Sequence, residues 1–221
     1  QLQTPKFGMN VYCGLDFSHD VTPCFQCIIL ENGNNYRRAA FFTRIRAKNM
    51  EDLLLSDSVQ KVHKVLNAQQ VAHEFRVLSD STRTAQMAAD VLGCTPSEIA
   101  SSLIFEVIET GEMVLIVASG GHRVDLDYVS TQLGLSLQMA KGKRIKQEVG
   151  FAIGGVPPLA HDVVLKTWLD VRLLQYATVW AAAGSPFAVF GVTPQELQRV
   201  TSAAWMAVEA ADEQLWVPDH A

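Results

Sequence analysis

The sequence predicts a single domain of mixed α/β class. Strand-like and helix-like patterns alternate from about residue 58 to residue 200. Two apolar, β-branched runs, residues 103–108 and 113–118, flank the turn residues around Gly111, which favours an antiparallel hairpin and rules out a purely parallel sheet. The chain has 221 residues, 48% hydrophobic and 19% charged, which suits one sizeable core rather than a disordered or fibrous polymer.

Val59, Val62, Val65 and Leu66 recur at helical spacing behind the candidate caps Ser56, Asp57 and Ser58, predicting the first helix. Residues 72–78 read as a strand. Residues 81–92 read as a helix capped by Ser81 or Thr82 and ended by Gly93, and a third short helix is expected at Thr95, with Pro96 at its first position and Glu98 three residues after the cap. After the hairpin, residues 125–133 read as a helix ended by Gly134, and 145–149 as a short helical piece before Gly150. Residues 163–169, 178–182 and 187–190 read as strands, and 193–200 as a last helix with Thr193 as cap and Pro194 at its first position. There is no internal repeat.

Residues 1–49 lack a sustained period and carry three of the four cysteines, so they are expected to be a leader, poorly ordered or not part of the domain. The domain is expected over 50–202, followed by a C-terminal tail, 203–221. No apolar run reaches the roughly 18 to 20 residues needed to cross a bilayer, and no secretory signal is legible, so the expectation is a cytoplasmic protein with no membrane partner.

Cys24 and Cys27 form a CxxC pair, yet two further zinc ligands at suitable spacing are missing, as is a thioredoxin-like strand and helix around them. No HExxH, GxGxxG, P-loop or GxSxG string is present. A net charge of −5 argues against a general nucleic-acid binder, because phosphate binding leaves a basic footprint. The one dense basic stretch is KGKRIK, with Lys141, Lys143, Arg144 and Lys146; it fits a local phosphate contact and a solvated helix face equally. The most distinctive string is FAIGGVPPL, residues 151–159. Its glycines allow close backbone approach and its prolines stiffen the chain, which suits the wall of a ligand site and also an ordinary strand-to-loop bend.

Several strings in order, SVQKVHKVL, STRTAQMAADVLGC, EIASSLIFE, GGHRVD, GFAIGGVPPLAH and VWAAAGSPFAVFGVTPQEL, resemble the YbaK and prolyl-tRNA-synthetase-associated editing domains over about residues 58–200. The resemblance implies a curved mixed sheet flanked by helices, with a pocket for the 3′-terminal adenosine of a mischarged tRNA. It implies ester hydrolysis without metal or cofactor, assisted by the substrate's own groups. The family's GxxxP loop corresponds to Gly154 through Pro158, so Gly154, Gly155 and Pro158 are the candidate catalytic loop residues, with Ser101 at the position of a lysine usual in the family. Thr84, Ser102, Val156, Ala183 and Gly184 are candidate substrate contacts, and Arg83, Lys143 and Arg144 candidate tRNA contacts. Thr84 falls where cysteine-specific members carry an aromatic residue, and Val189 where they carry an acid; Thr84 also suits a helix cap.

The expected function is a free-standing deacylase acting in trans on mischarged tRNA, for example tRNA-Pro carrying a small amino acid, with an aminoacyl-tRNA synthetase as a further partner. The alternative is a non-catalytic aminoacyl-tRNA or nucleotide-binding homologue, motivated by Ser101 and the acidic balance.

Overall fold

The computed structural model describes residues 56–78, 81–82 and 84–215; the expectations for residues 1–49 and Arg83, and for the last six residues of the tail, lie outside the described residues. In chain order the elements are α1 (Asp57–Ala68), β1 (Glu74–Val77), α2 (Ala85–Leu92), β2 (Ile99–Val107), β3 (Met113–Ser119), α3 (Leu126–Leu133) and β4 (Leu137–Met139). Next come α4 (Gly142–Arg144) running into a π-helical turn (Ile145–Val149), β5 (Lys166–Asp170), β6 (Val179–Ser185), β7 (Ala188–Val192), α5 (Pro194–Thr201) and β8 (Ala204–Met206). Single 3-10 segments occupy Pro96–Glu98, Val171–Gln175 and Ala210–Leu215.

Helix starts follow the chemistry of their caps. The Thr84 hydroxyl accepts from the Met87 amide (3.2 Å), the Asp125 carboxylate from the Tyr128 amide (3.0 Å) and the Thr193 hydroxyl from the Glu196 amide (3.2 Å), each satisfying a donor the helix cannot use itself. The start of α2 corrects the expectation of residue 81. Thr82 instead gives both its amide and its hydroxyl to the Pro186 carbonyl, at 2.9 and 2.8 Å, tethering this segment to the β6–β7 turn. The helix expected at Thr95 is one 3-10 turn, because β2 begins immediately after Glu98 returns its carboxylate to the Thr95 amide. The expected strand at 163–169 begins only at Lys166, with Val163 and Val164 exposed before it.

The eight strands form one mixed sheet in the order β1-β7-β6-β2-β3-β5-β8, with β4 also on β2. The hairpin is as expected: β2 and β3 pair antiparallel from Ala100↔Ser119 to Glu106↔Met113. β2–β6, β3–β5 and β5–β8 are parallel. Strand alternation sorts the side chains onto two faces. On one, Ala100, Ile104, Leu115, Val117, Leu169, Ala181 and Phe190 pack with Val59, Val62 and Leu66 of α1, Leu197 of α5 and the bend residues Phe151, Val156 and Leu159. On the other, α2 covers Ile99, Trp180 and Val189, while α3 covers Phe105, Val107, Val114, Ile116 and Trp168.

The segment expected as a tail is part of this architecture. β8 pairs with β5 through Trp168↔Ala204 to Asp170↔Met206, extending the sheet past the expected boundary at 202. Beyond it, Asp212 is 0% exposed and pairs with Arg172, itself only 13% exposed, which also holds Glu209. Asp170 ties the neighbouring strand ends, accepting from the Ser119 amide at 2.9 Å and the Arg172 amide at 3.0 Å, and burial pushes its carboxyl pKa up against these two bonds. Removing Arg172 strands a buried carboxylate, so Arg172→Ala is expected to cost about 3–5 kcal/mol and lower the melting temperature by roughly 10 °C in thermal unfolding. Glu209→Ala, which removes the more exposed partner, is expected to cost far less.

Candidate active site at a lapse in strand pairing

β2 changes partner in mid-strand. On the side away from β3 it pairs with β6 only through Ile99↔Trp180 and Ala100↔Ala181, and with β4 only from Phe105↔Met139 onward. The Ala140 amide reaches the Ile104 carbonyl at 3.1 Å, so the lapse spans Ser101 to Leu103. These three residues are partly exposed, between buried Ile99 and Ala100 on one side and buried Ile104 and Phe105 on the other. β6 shows the same mark: Ala182 and Gly184 are partly exposed beside buried Ala183 and Ser185. A central strand shows such an island only where its cover is interrupted.

The two serines of the lapse face opposite ways. Ser101 lies on the α2–α3 face, between Ile99 and Leu103, whereas Ser102 shares the face of Ala100 and Ile104, on which the bend packs. The Ser102 hydroxyl is buried without a hydrogen-bond partner among the described residues, a costly state for a polar group.

The glycine-proline bend stands against the end of β6. The Gly155 amide donates to the Ala152 carbonyl at 3.0 Å, and Gly154, at φ 86°, takes the third position of a type II turn, where a side chain is strained. A Cβ on Gly155 would stand 2.8 Å from the Ser185 Cα and 2.9 Å from its nitrogen, so two backbones touch here. The bend has two halves. Residues 155–159, including Val156 and Pro158, are buried and root it, while Ala152 and Ile153 are exposed and Gly154 partly so. The root is clamped from below by His161, whose Nε2 lies 2.7 Å from the Pro157 carbonyl; a carbonyl only accepts, so Nε2 carries the proton. The His161 ring also meets Phe151 edge-on at 6.1 Å, and Lys61 of α1 lies over Phe151 at 5.2 Å while pairing with Asp162. Burial is the main reason the His161 pKa is lowered, with Lys61 adding to it.

The other expected residues fall at varied distances from this point in role. Ala183 and Gly184 belong to β6 at the lapse, and Gly184 (φ 88°) leaves room for the Ser58 carbonyl of α1, 2.5 Å from where a Cβ would sit. Thr84 caps α2 and is exposed. Val189 is buried on β7. Lys143 is exposed, whereas the Arg144 guanidinium is occupied by Glu106, Glu148 and the Gly111 carbonyl. Nothing in the residue pattern pointed to His161 as the clamp, since its partner is a main-chain carbonyl.

A family model for the aminoacyl-tRNA editing domain matches residues 79–200, more than half of the chain. The chain belongs to the aminoacyl-tRNA editing domain family. The editing-domain match contains β2, the bend and β6, and so the whole lapse. A protein of Bacillus subtilis (strain 168), the uncharacterized YwhH, is 35% identical over 131 residues, covering 58% of this chain and 82% of its own. A crystal structure of a protein proposed to be a trans-editing enzyme for prolyl tRNA synthetase superposes with a TM-score of 0.65 at 36% identity, covering 70% of this chain and 98% of that one. The hypothetical protein APE2540 superposes with a TM-score of 0.63 at 27% identity, covering 67% and 98%. The expected YbaK-type fold is therefore the observed one.

Two outcomes follow from the editing-domain bend. Gly155→Ala forces backbone against backbone and is expected to destabilise by about 1–3 kcal/mol, read by denaturant unfolding. For His161, the unfolded chain takes up a proton as pH falls through 6.5 while the folded form, with its lowered pKa, does not; stability is expected to fall from that pH downward until the folded pKa is passed. His161→Gln keeps a donor but does not titrate, so its unfolding free energy is expected to lose this part of the pH dependence.

Proposed function

We propose that the chain is a free-standing deacylase that hydrolyses the ester of mischarged tRNA in trans, at the lapse between β2 and β6. The observation that carries this reading is the partly exposed island at Ser101–Leu103 of β2, beside β6, the strand whose end the Gly155 backbone touches. The rigid root holds the glycine end in place and limits the space for the amino-acid side chain, which favours a small one such as would be misplaced on tRNA-Pro.

Water adds to the ester carbonyl carbon, the bond to the ribose oxygen breaks, and that oxygen leaves with a proton. Because the Gly155 amide closes its own turn, the neighbouring Gly154 amide is the donor best suited to the carbonyl oxygen as negative charge develops. Pro158, with Val156, stiffens the buried root. Ser101 would hydrogen-bond the ribose or terminal phosphate, and Ser102, Ala183 and Gly184 would line the acyl side; Ser102 would gain there the partner it lacks. Thr84 at the α2 N-terminus, and Arg83, lie in the stretch that would flank the adenosine. The attack is assisted by the vicinal ribose hydroxyl, and no metal takes part. An aminoacyl-tRNA synthetase as partner belongs to the same reading.

A panel of mischarged tRNAs tests it: hydrolysis above buffer is expected for at least one small amino acid, and none across the panel overturns the enzyme. Ser101→Ala is expected to lower kcat/KM roughly tenfold through one lost hydrogen bond. Serine where the family's lysine is expected favours a second reading, a binding module without turnover; activity that arises only in Ser101→Lys would establish it.

A further inference from the structure

Resting on that reading, we infer that Lys141, Lys143 and Lys146 form a fixed ridge beside the bend that binds the phosphodiester backbone of the RNA whose 3′ end enters the lapse. The starting observation is a contact. A Cβ on Gly142 would stand 2.5 Å from the Ile153 Cδ1, so the turn carrying the basic stretch is seated against the exposed tip of the bend. Sequence alone left this stretch as a phosphate contact or a solvated face, and its neighbour in the fold separates the two.

Within the stretch the cations divide by role. The Arg144 guanidinium donates through Nε to Glu148 at 2.6 Å, through Nη2 to the Gly111 carbonyl at 2.6 Å, and stands 3.0 Å from Glu106 through Nη1. It therefore pins the turn to the β2–β3 hairpin and is shared between the Glu106 and Glu148 carboxylates. Ile145 and Val149 are buried and root the π-helical turn from inside. Asp162, which approaches Gly150 at the end of this turn, is paired with Lys61. That leaves three exposed ammonium groups, none of which forms an ion pair with a described residue.

A ridge held this way loses little freedom when it binds, and its local sign opposes the net charge of −5 on the chain. Ile153, 65% exposed, lies between the ridge and the glycine end of the bend. A strand passing from ridge to lapse crosses this apolar tip, so its phosphates face the lysines while its 3′ end approaches the face of β2 that carries Ser102. Arg144, expected from sequence as a tRNA contact, acts instead as the anchor of the surface.

The probe is an uncharged RNA minihelix with a single-stranded CCA end, titrated by fluorescence anisotropy over a range of KCl concentrations. The triple change Lys141→Gln, Lys143→Gln, Lys146→Gln is expected to weaken binding about tenfold or more and to reduce the slope of log K against log salt by about 2 to 3. Lys143→Gln alone should reduce the slope by about 0.7 to 0.9, whereas Lys64→Gln, an equal charge change on exposed α1, should not. Wild-type protein that fails to bind the minihelix, or a triple variant with wild-type affinity and slope, overturns the ridge. An aminoacyl-adenosine lacking phosphodiesters separates this from the ester chemistry. Its hydrolysis is expected to be unchanged in the triple variant while hydrolysis of full mischarged tRNA falls, and an equal loss on both overturns the ridge. If neither substrate is hydrolysed by wild type, the deacylase reading fails and the minihelix titration still decides the ridge.

Discussion

The structure turns on the exchange of partners along β2. One strand is held on its inner side by β3 over nearly its whole length, while on its outer side β6 holds only its start and β4 only its end. Main-chain donors and acceptors in a sheet interior must be satisfied, so a stretch without a strand partner is a place where something else must come. β3 pairs with the strand straight through the lapse, from Ala100↔Ser119 to Glu106↔Met113, so the lapse is not a frayed end.

The bend can serve that opening because its two halves obey different constraints. Phe151, Val156 and Leu159 join the main core with α1 and α5, which fixes the root by burial. Gly155, at the start of that root, has no side chain where it meets the backbone of Ser185, and this lets two main chains approach more closely than any other residue would allow. His161 clamps the root through the carbonyl of Pro157, a residue that has no amide of its own to pair. Position is thus set by the core, and the chemistry exposed at the surface is almost wholly main chain.

Charge is distributed with a matching economy. The lapse itself carries serines and no cation, while positive charge stands beside the bend on α4 and the turn after it. Of the four basic residues there, the one with a planar, multiply donating head is consumed by structure, and the three flexible ammonium groups remain outward.

Local sequence determined much of this architecture. Periodic valines and leucines located α1, Gly134 located the end of α3, the cap Thr193 located the start of α5, Gly111 located the hairpin turn, and the order of the motifs identified the editing-domain family. Such features depend on residues within a turn or two of one another, so the chain spells them out. β4 and β8, at three residues each, are too short to show a period and exist only because β2 and β5 offer edges to pair with. The lapse, the Gly155–Ser185 contact, the division of labour between Arg144 and its lysine neighbours, and the burial of Asp212 against Arg172 join residues distant in sequence. No local pattern encodes a meeting of that kind, because it is decided by which surfaces the rest of the chain has already covered.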